Sequence, residues 1–464
     1  MENWKSFLEA NQESFLADLI DFLRIPSIST LPEYQAEVKR AAEWLASRME
    51  SAGLEHVEVL ATDGHPIVYG DWLHAENAPT LLLYGHYDVQ PVDPLELWTT
   101  PPFAPDLREG RLFARGASDM KGNVLVMIHA IEAHLRTTGK LPVNLKVVIE
   151  GEEEIGSRSL PKWLAEHRDK IACDIAASAD SAQLALQIPT LIVGAKGMCG
   201  FQMDVKTAES DLHSGLAGGV VHNALHVAAQ IVSSMHDESR RVTVAGFYDD
   251  VALPAPDERA MCARMPLGED DFRRSIGVNQ LISEPGFTPM ESTWFRPTLE
   301  VNGMWGGFQG EGTKTIIPCV AHVKITCRLV AHQQPAKIIE LLKAHLARVT
   351  PSGVEVHVTP LFDMADPYLL PEDHPATKAA DAALQDVMGG HPMHMRMGAT
   401  VPILGMLKEL LGVEVLSLGF SGIRDGMHAP NESLDLSFYR VGAHVYARLF
   451  ETLATLRGSL HSSD

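Results

Sequence analysis

The chain is short of three things, and each shortage excludes a class of protein. It has no unbroken apolar run of the roughly 20 residues that a membrane-spanning helix needs, so no membrane partner is expected. Its 38 Lys and Arg are outnumbered by 60 Asp and Glu, for a formal net charge of −22. Nucleic acid is therefore not an expected partner, because phosphate binding wants clustered cations. Its cysteines are only five, Cys173, Cys199, Cys262, Cys319 and Cys327, odd in number, widely spread and without a C-x-x-C pair. They read as reduced thiols rather than a disulfide framework, and with an N-terminal segment broken by Glu9, Glu13, Asp18 and Asp21 a cytoplasmic setting is expected. Internal repeats and low-complexity tracts are also missing.

What is present is periodic pattern. At 464 residues the chain is long enough for two or three domains. Residues 1–23 space Phe7, Leu8, Phe15, Leu16, Leu19, Ile20 and Leu23 as one amphipathic surface helix. From about Val57 to Ala195 strand-like and helix-like segments alternate, with strands near Thr80 and Leu145 flanking a helical stretch at 121–135. That βαβ order predicts an α/β fold, a mostly parallel sheet flanked by helices. After Gly197 the pattern shifts: a strand, a helix at 220–235, a Pro- and Gly-broken stretch at 253–312, a strand ending at Arg328, a helix at 335–349 and a strand at 354–358. This block reads as an inserted α+β domain. From about Phe362 the alternation resumes and closes in a long helix at 434–456. The expected domains are thus 1–196 with 362–464, and the insert 197–361.

Five polar segments interrupt this pattern: GHYD at 85–88, SDMKG at 118–122, EGEEEIG at 150–156, Asp180, and GMHAPNE at 426–432. The first four each follow an apolar, strand-like run, and the last follows residues 413–418 by a short loop. In α/β folds ligands gather beyond the carboxyl ends of strands, so these segments can converge. They carry the donors that hold divalent cations. His86 and Asp88, two apart in an extended segment, face the same way, so Asp88 can accept the second ring N–H of a metal-binding His86. Adjacent Glu153 and Glu154 diverge, so one can reach a metal while the other faces the attacking water; spacing leaves open which. Charge counting favours two cations: Asp119, Glu154 and Asp180 offset three of four positive charges and a bridging hydroxide the fourth, with His86 and His428 neutral. A pair of ions needs a bridge, and one carboxylate such as Asp119 can give an oxygen to each.

The order H-x-D, D-M-K-G, E-E-x-G-S, a lone Asp, D-L-H-S-G and a late His resembles the M20 metallopeptidases, in their dipeptidase, carnosinase-like branch. The likeness extends from about Ile25 to the C-terminus and includes Trp98, Pro102 and Phe103 after the first motif. It implies that one metal is held by His86 and Asp180 and the other by Glu154 and His428, with Asp119 bridging and Glu153 as general base and acid. It further implies that His213, in D-L-H-S-G at 211–215, reaches the partner subunit's site and stabilises the oxyanion. Arg328 and Thr315 would bind the substrate's terminal carboxylate, with Gly398 and Thr400 also on the substrate side. The insert would be the lid and dimerisation domain of a homodimer. Two departures stand out: 396–402 reads RMGATVP where Gly-Gly-Ser before Ile-Pro is usual, and Lys196-Gly197 stands where Arg-Gly is commoner.

The expected activity is a dipeptidase that hydrolyses the amide of dipeptides with a free C-terminal carboxylate, using two divalent ions per subunit, Zn²⁺ first and Mn²⁺ or Co²⁺ as alternatives. An N-acyl-amino-acid deacylase, a desuccinylase or a carboxypeptidase would use the same site on another small peptide or acyl-amino-acid. A catalytically silent scaffold of this fold would have lost a ligand or the base, and none of the matched positions is lost. Of the 21 histidines most are structural; His65, His74, His222, His322, His391 and His394 receive no role.

Overall fold

The computed structural model describes residues 3–266, 268–362 and 364–456. The chain divides into two compact units, one of Met1–Val193, Leu370–Met395 and Met406–Asp464, the other of Gly194–Leu369 and Arg396–Gly405.

The first unit is built on a large sheet whose strands run in the order Glu55–Leu60, Ile67–Trp72, Asn144–Glu150, Thr80–His86, Ile175–Ser178, Val415–Ser417 and Thr190–Ala195. The expected α/β sheet flanked by helices is present, and it is mixed. Its middle pairings, from Asn144–Glu150 to Val415–Ser417, are parallel, while those at either margin are antiparallel. Parallel strands are covered on both faces and so need near-continuous apolar sequence. Thr80–His86 and Asn144–Glu150 have this character, with every residue after the first buried. Helix Gly122–Thr138 follows the same logic: it is buried nearly all round because it packs on Leu436–Ala454, Gln35–Ala52 and Asn3–Ala10. Three of the polar segments lie beyond the carboxyl ends of adjacent parallel strands. The short strand before Asp119, Arg111–Phe113, belongs instead to a separate antiparallel sheet with Asp106–Arg108 and Ser433–Asp435.

The amphipathic segment expected as one N-terminal helix is two, Asn3–Ala10 and Gln12–Leu23. At the joint the Asn11 side-chain amide donates to Phe7 O (2.8 Å), the local competition that makes Asn a poor helix-interior residue. Lys121, fully buried, turns away from the polar segments and donates to Ile25 O (2.6 Å) and Phe22 O (3.1 Å) at the C-terminal end of the second helix.

The second unit is an antiparallel sheet in the order Thr298–Gly306, Val320–Leu329, Gly197–Lys206, Glu355–Pro360. Period-two alternation turns Cys199, Phe201, Met203 and Val205 inward with Val323, Ile325, Cys327 and Leu329, against helices Ala224–Ser233 and Pro335–Val349. The stretch expected to be broken holds three short helices, Pro256–Ala263, Glu269–Ser275 and Pro289–Phe295, two of them started by a proline at the first helical position. Residues 396–405 group with this unit, outside the expected 197–361, because Met397 N bonds Gly194 O (2.7 Å) and Lys196 N bonds Ala399 O (2.9 Å). Among the described residues all five cysteines are free, and no helix is long and apolar enough to cross a membrane.

One close approach positions the Asp180 loop. A Cβ on Gly419 would lie 2.1 Å from Ser181 O and 2.4 Å from Ala179 O, both main-chain atoms that cannot give way cheaply. Gly419→Ala is expected to lower stability by at least ~1–3 kcal/mol, read as a drop in the urea midpoint at unchanged slope; an unaltered midpoint would contradict this packing.

Candidate metal centre

His86 ends its strand wholly buried, and its Nε2 lies 3.2 Å from Asp119 Oδ1. Asp119 sits in the turn that enters helix Gly122–Thr138, and the peptide that follows it is cis. Its other oxygen, Oδ2, is 2.9 Å from His428 Nε2, which is itself 3.2 Å from Glu154 Oε2. Asp180 stands two residues past strand Ile175–Ser178. The result is two donor sets, His86 with Asp119 and Asp180, and Asp119 with Glu154 and His428; within each the ligand atoms lie within 4.8 Å of one another. Asp119 belongs to both.

The structure sorts the acidic run. Glu150 accepts from Tyr84 Oη (2.5 Å) and Ser157 Oγ (2.8 Å), and Glu152 from Ser159 N (2.9 Å), so both are tied into the fold. Glu154 faces His428 and is held by Gln90 Nε2 (2.7 Å), a residue to which sequence reasoning gave no role. Asp88 has a wider task than expected. His86 Nδ1 lies 3.1 Å from the Asp88 carbonyl and 3.4 Å from its carboxylate, while that carboxylate accepts from Glu153 N (3.2 Å) and Glu154 N (3.1 Å). One aspartate thus orients the imidazole and the glutamate turn together.

Crowding of carboxylates governs the electrostatics. Burial and the charge of Asp119, with Glu154 behind it, raise Asp180 to about 7 against the pull of His86. Burial, opposed by His86, and then the charges of Asp180, Glu154 and Asp119 raise Glu153 well above the usual carboxylate range. Asp119 goes the other way: burial disfavours its charge, but hydrogen bonds from His428 and His86 outweigh burial and hold it well down. Bonds to Asp119 and Glu154 lift His428 to about 10, and His86 is also well raised, burial notwithstanding, by Asp119 and Asp88. The donor chemistry fits divalent cations: two imidazoles and three carboxylates in two overlapping sets suit Zn²⁺, which takes nitrogen and oxygen donors, and the harder Mn²⁺, and their charge is what the cluster lacks.

The remaining candidates lie in the second unit, in two groups. His213 is exposed, its Nδ1 accepting from Gly215 N (3.0 Å), and the next residue's N–H bonds Thr315 O (3.0 Å), which sets Thr315 beside it. Arg328 Nη1 donates to Thr400 Oγ1, and Gly398 packs on Thr293. Among the described residues no carboxylate pairs with Arg328, and burial lowers its affinity for a proton. Lys196 lies near it, brought down to about 8 by burial and by the charges of Arg328 and Arg296. Of the histidines without a role, His65 bonds Ser29 O, His74 Glu55, His322 Asp204 and His394 Asp381, all ordinary structural contacts.

Two donor sets sharing a carboxylate at the strand ends of an α/β sheet mark the class of the dinuclear metal enzymes. The chain belongs to peptidase family M20/M25/M40, whose profile matches residues 82–452. It is 28% identical over 473 residues to the Beta-Ala-His dipeptidase of Rattus norvegicus, covering 98% of this chain and 96% of that one. It is 28% identical over 463 residues to the Cys-Gly metallodipeptidase dug1 of Schizosaccharomyces pombe, covering 97% of each. Among solved structures, the M20 family metallo-carboxypeptidase Sso-CP2 from Sulfolobus solfataricus superposes with a TM-score of 0.81 at 31% identity, over 95% of this chain and 99% of that one.

If these sets hold cations, binding would displace protons from His428, raised to about 10, and in part from Asp180, raised to about 7. Affinity for Zn²⁺ or Mn²⁺ is therefore expected to rise with pH across the neutral range, with proton release. Calorimetric titrations in two buffers of different ionisation enthalpy will differ in apparent heat; identical heats would rule out the linkage.

Proposed function

We propose that the protein is a metal-dependent dipeptidase that hydrolyses the amide of dipeptides carrying a free C-terminal carboxylate. The observation that carries this reading is the sharing of Asp119 between the two donor sets. His86 and Asp180 would hold one divalent ion, Glu154 and His428 the other, with Asp119 between them; Zn²⁺ is the first candidate, Mn²⁺ or Co²⁺ the alternatives. Two such ions would polarise the scissile carbonyl and acidify a water. Glu153 would take the proton of the attacking water and return it to the leaving amine, a role supported by its place beside the two donor sets. Asp88 holds the Glu153 main chain and His86 in register, as its hydrogen bonds support.

Arg328 would take the substrate carboxylate through its fork, since a half-buried guanidinium without an acidic partner is poised for an anion. Gly398 and Thr400, grouped with Arg328, and Thr315, grouped with His213, would both serve the carboxylate end of the substrate, and His213 would stabilise the oxyanion. We further infer a homodimer through the second unit, in which His213 serves the partner's site; Thr298–Gly306 is an edge strand there, with Val301 and Met304 exposed. Domain roles follow, with the first unit catalytic and the second, which takes in residues 396–405 beyond the expected 197–361, forming the lid and dimer contact. Free thiols support a cytoplasmic setting.

A second reading, a carboxypeptidase, is favoured by the likeness to Sso-CP2. Rates on dipeptides, on longer peptides and on acetyl- and succinyl-amino acids, each with Zn²⁺ and Mn²⁺ supplied separately, decide between them: fastest cleavage of dipeptides is expected, and preference for longer peptides would replace the first reading with the second. Glu153→Gln is expected to cut turnover by roughly 10²–10⁴-fold with metal content unchanged; near-native rates would show that another group is the base. Arg328→Lys is expected to lower kcat/KM by roughly 10–100-fold on free dipeptides and far less on their C-terminal amides, and an equal loss on both would remove Arg328 from carboxylate recognition.

A further inference from the structure

The segment that carries His428 is fastened to the loop that carries Asp119 at both of its ends. At one end Glu432, with no exposed surface, accepts four hydrogen bonds: from Arg115 Nη1 (2.7 Å) and Gly116 N (2.9 Å) on one oxygen, and from Ser118 N (2.9 Å) and Asp119 N (3.0 Å) on the other. At the other end Asp425, equally buried, accepts from Ser118 Oγ (2.9 Å), Gly422 N (2.6 Å) and Arg111 Nη2 (2.5 Å). Ser433 N bonds Asp425 O (2.9 Å) and closes the segment on itself. Arg115 completes the tie, because its Nη2 donates to His428 O (3.2 Å) and Pro91 O (3.0 Å).

Between these fastenings the chain is unfavourable on its own. His428 has φ 64° and Asn431 φ 61°, a left-handed backbone uncommon outside glycine although Asn and His enter it more readily than most, and the His428 ring is 56% exposed, with little packing to hold it. What holds the imidazole where it meets Asp119 is therefore the loop beneath it. A buried ion pair contributes little net stability, so Arg115 and Glu432 are poorly explained as a stabilising contact alone. Three of the four bonds to Glu432 instead fix main-chain N–H groups of the Asp119 loop.

We propose that Glu432, Arg115 and Asp425 are positioning residues that set the spacing between Asp119 and His428, and so the affinity for the ion held by Glu154 and His428. Metal–ligand distances tolerate only about ±0.2 Å, so a small relaxation of either loop is felt at the ion. The inference rests on the two-metal reading given above. The ion held by His86 and Asp180 shares Asp119 but depends less on the clamp, because its other two ligands are placed elsewhere, His86 at the end of a buried strand and Asp180 by the segment packed on Gly419, whereas His428 itself lies in the clamped segment.

The test is metal stoichiometry and affinity, measured with Zn²⁺ in competition with a chromophoric chelator, alongside thermal unfolding of the metal-free protein. Wild type is expected to bind two ions per chain; fewer than two would overturn the two-metal reading itself. Glu154→Gln identifies the ion in question by weakening it selectively. Glu432→Gln is expected to weaken that same ion by roughly 10–100-fold and leave the other within a few fold. Ser118→Ala, which removes one hydroxyl from the clamp, should weaken it by roughly fivefold with unfolding of the metal-free form little changed. If Glu432→Gln does not fold, Ser118→Ala decides alone. Two ions bound with wild-type affinity in the folded variants, or equal loss of both ions, would overturn the clamp while leaving the two-metal reading intact.

Discussion

Asp119, Glu153, Glu154 and Asp180 are gathered where water is scarce, and their mutual repulsion is the constraint around which the first unit is organised. A cluster of that charge is tolerable only if it is neutralised from within. Two imidazoles supply part of the compensation by holding protons at a pH where histidine is ordinarily neutral. Divalent cations offer far more charge in the same space. The site is therefore under electrostatic tension that metal relieves, a sounder reason to assign metal chemistry than the mere presence of histidine and acidic residues.

The surrounding fold keeps this tension from being relaxed by movement. Three adjacent parallel strands deliver His86, the Glu153–Glu154 turn and Asp180 to one edge of the sheet, and their burial on both faces makes that edge rigid. Hydrogen bonds then hold the connecting pieces: Gln90 donates to Glu154, while Asp88 accepts from the glutamate turn and Glu432 and Asp425 accept from the Asp119 loop. Acidic residues thus have two kinds of work here. Some face the common centre, and others, satisfied by main-chain N–H groups, fix the backbone from which the first kind project.

In the second unit two cations stand out. Arg328 and Lys196 are partly or largely buried cations whose proton affinity is lowered, and neither has a carboxylate partner among the described residues. Such cations are unusual in a chain with an overall charge of −22.

The amino-acid sequence alone determined the donor types, their order and the alternation that makes the first unit α/β, because strand and helix periods and strand-end motifs are local properties of the chain. Helix 335–349 was legible to the residue for the same reason, with proline marking its start. Tertiary structure alone decided the rest. Nothing local distinguishes Glu150 and Glu152, bonded to Tyr84 and Ser159, from Glu154 facing His428, since the three lie in one acidic run. Nor does spacing reveal that Asp88 serves the glutamate turn, that residues 396–405 join the second unit, or that Glu432 finds its partners more than 300 residues away. Those assignments depend on which groups meet through space and compete for the same protons and N–H donors, and only the folded chain brings them within reach of one another.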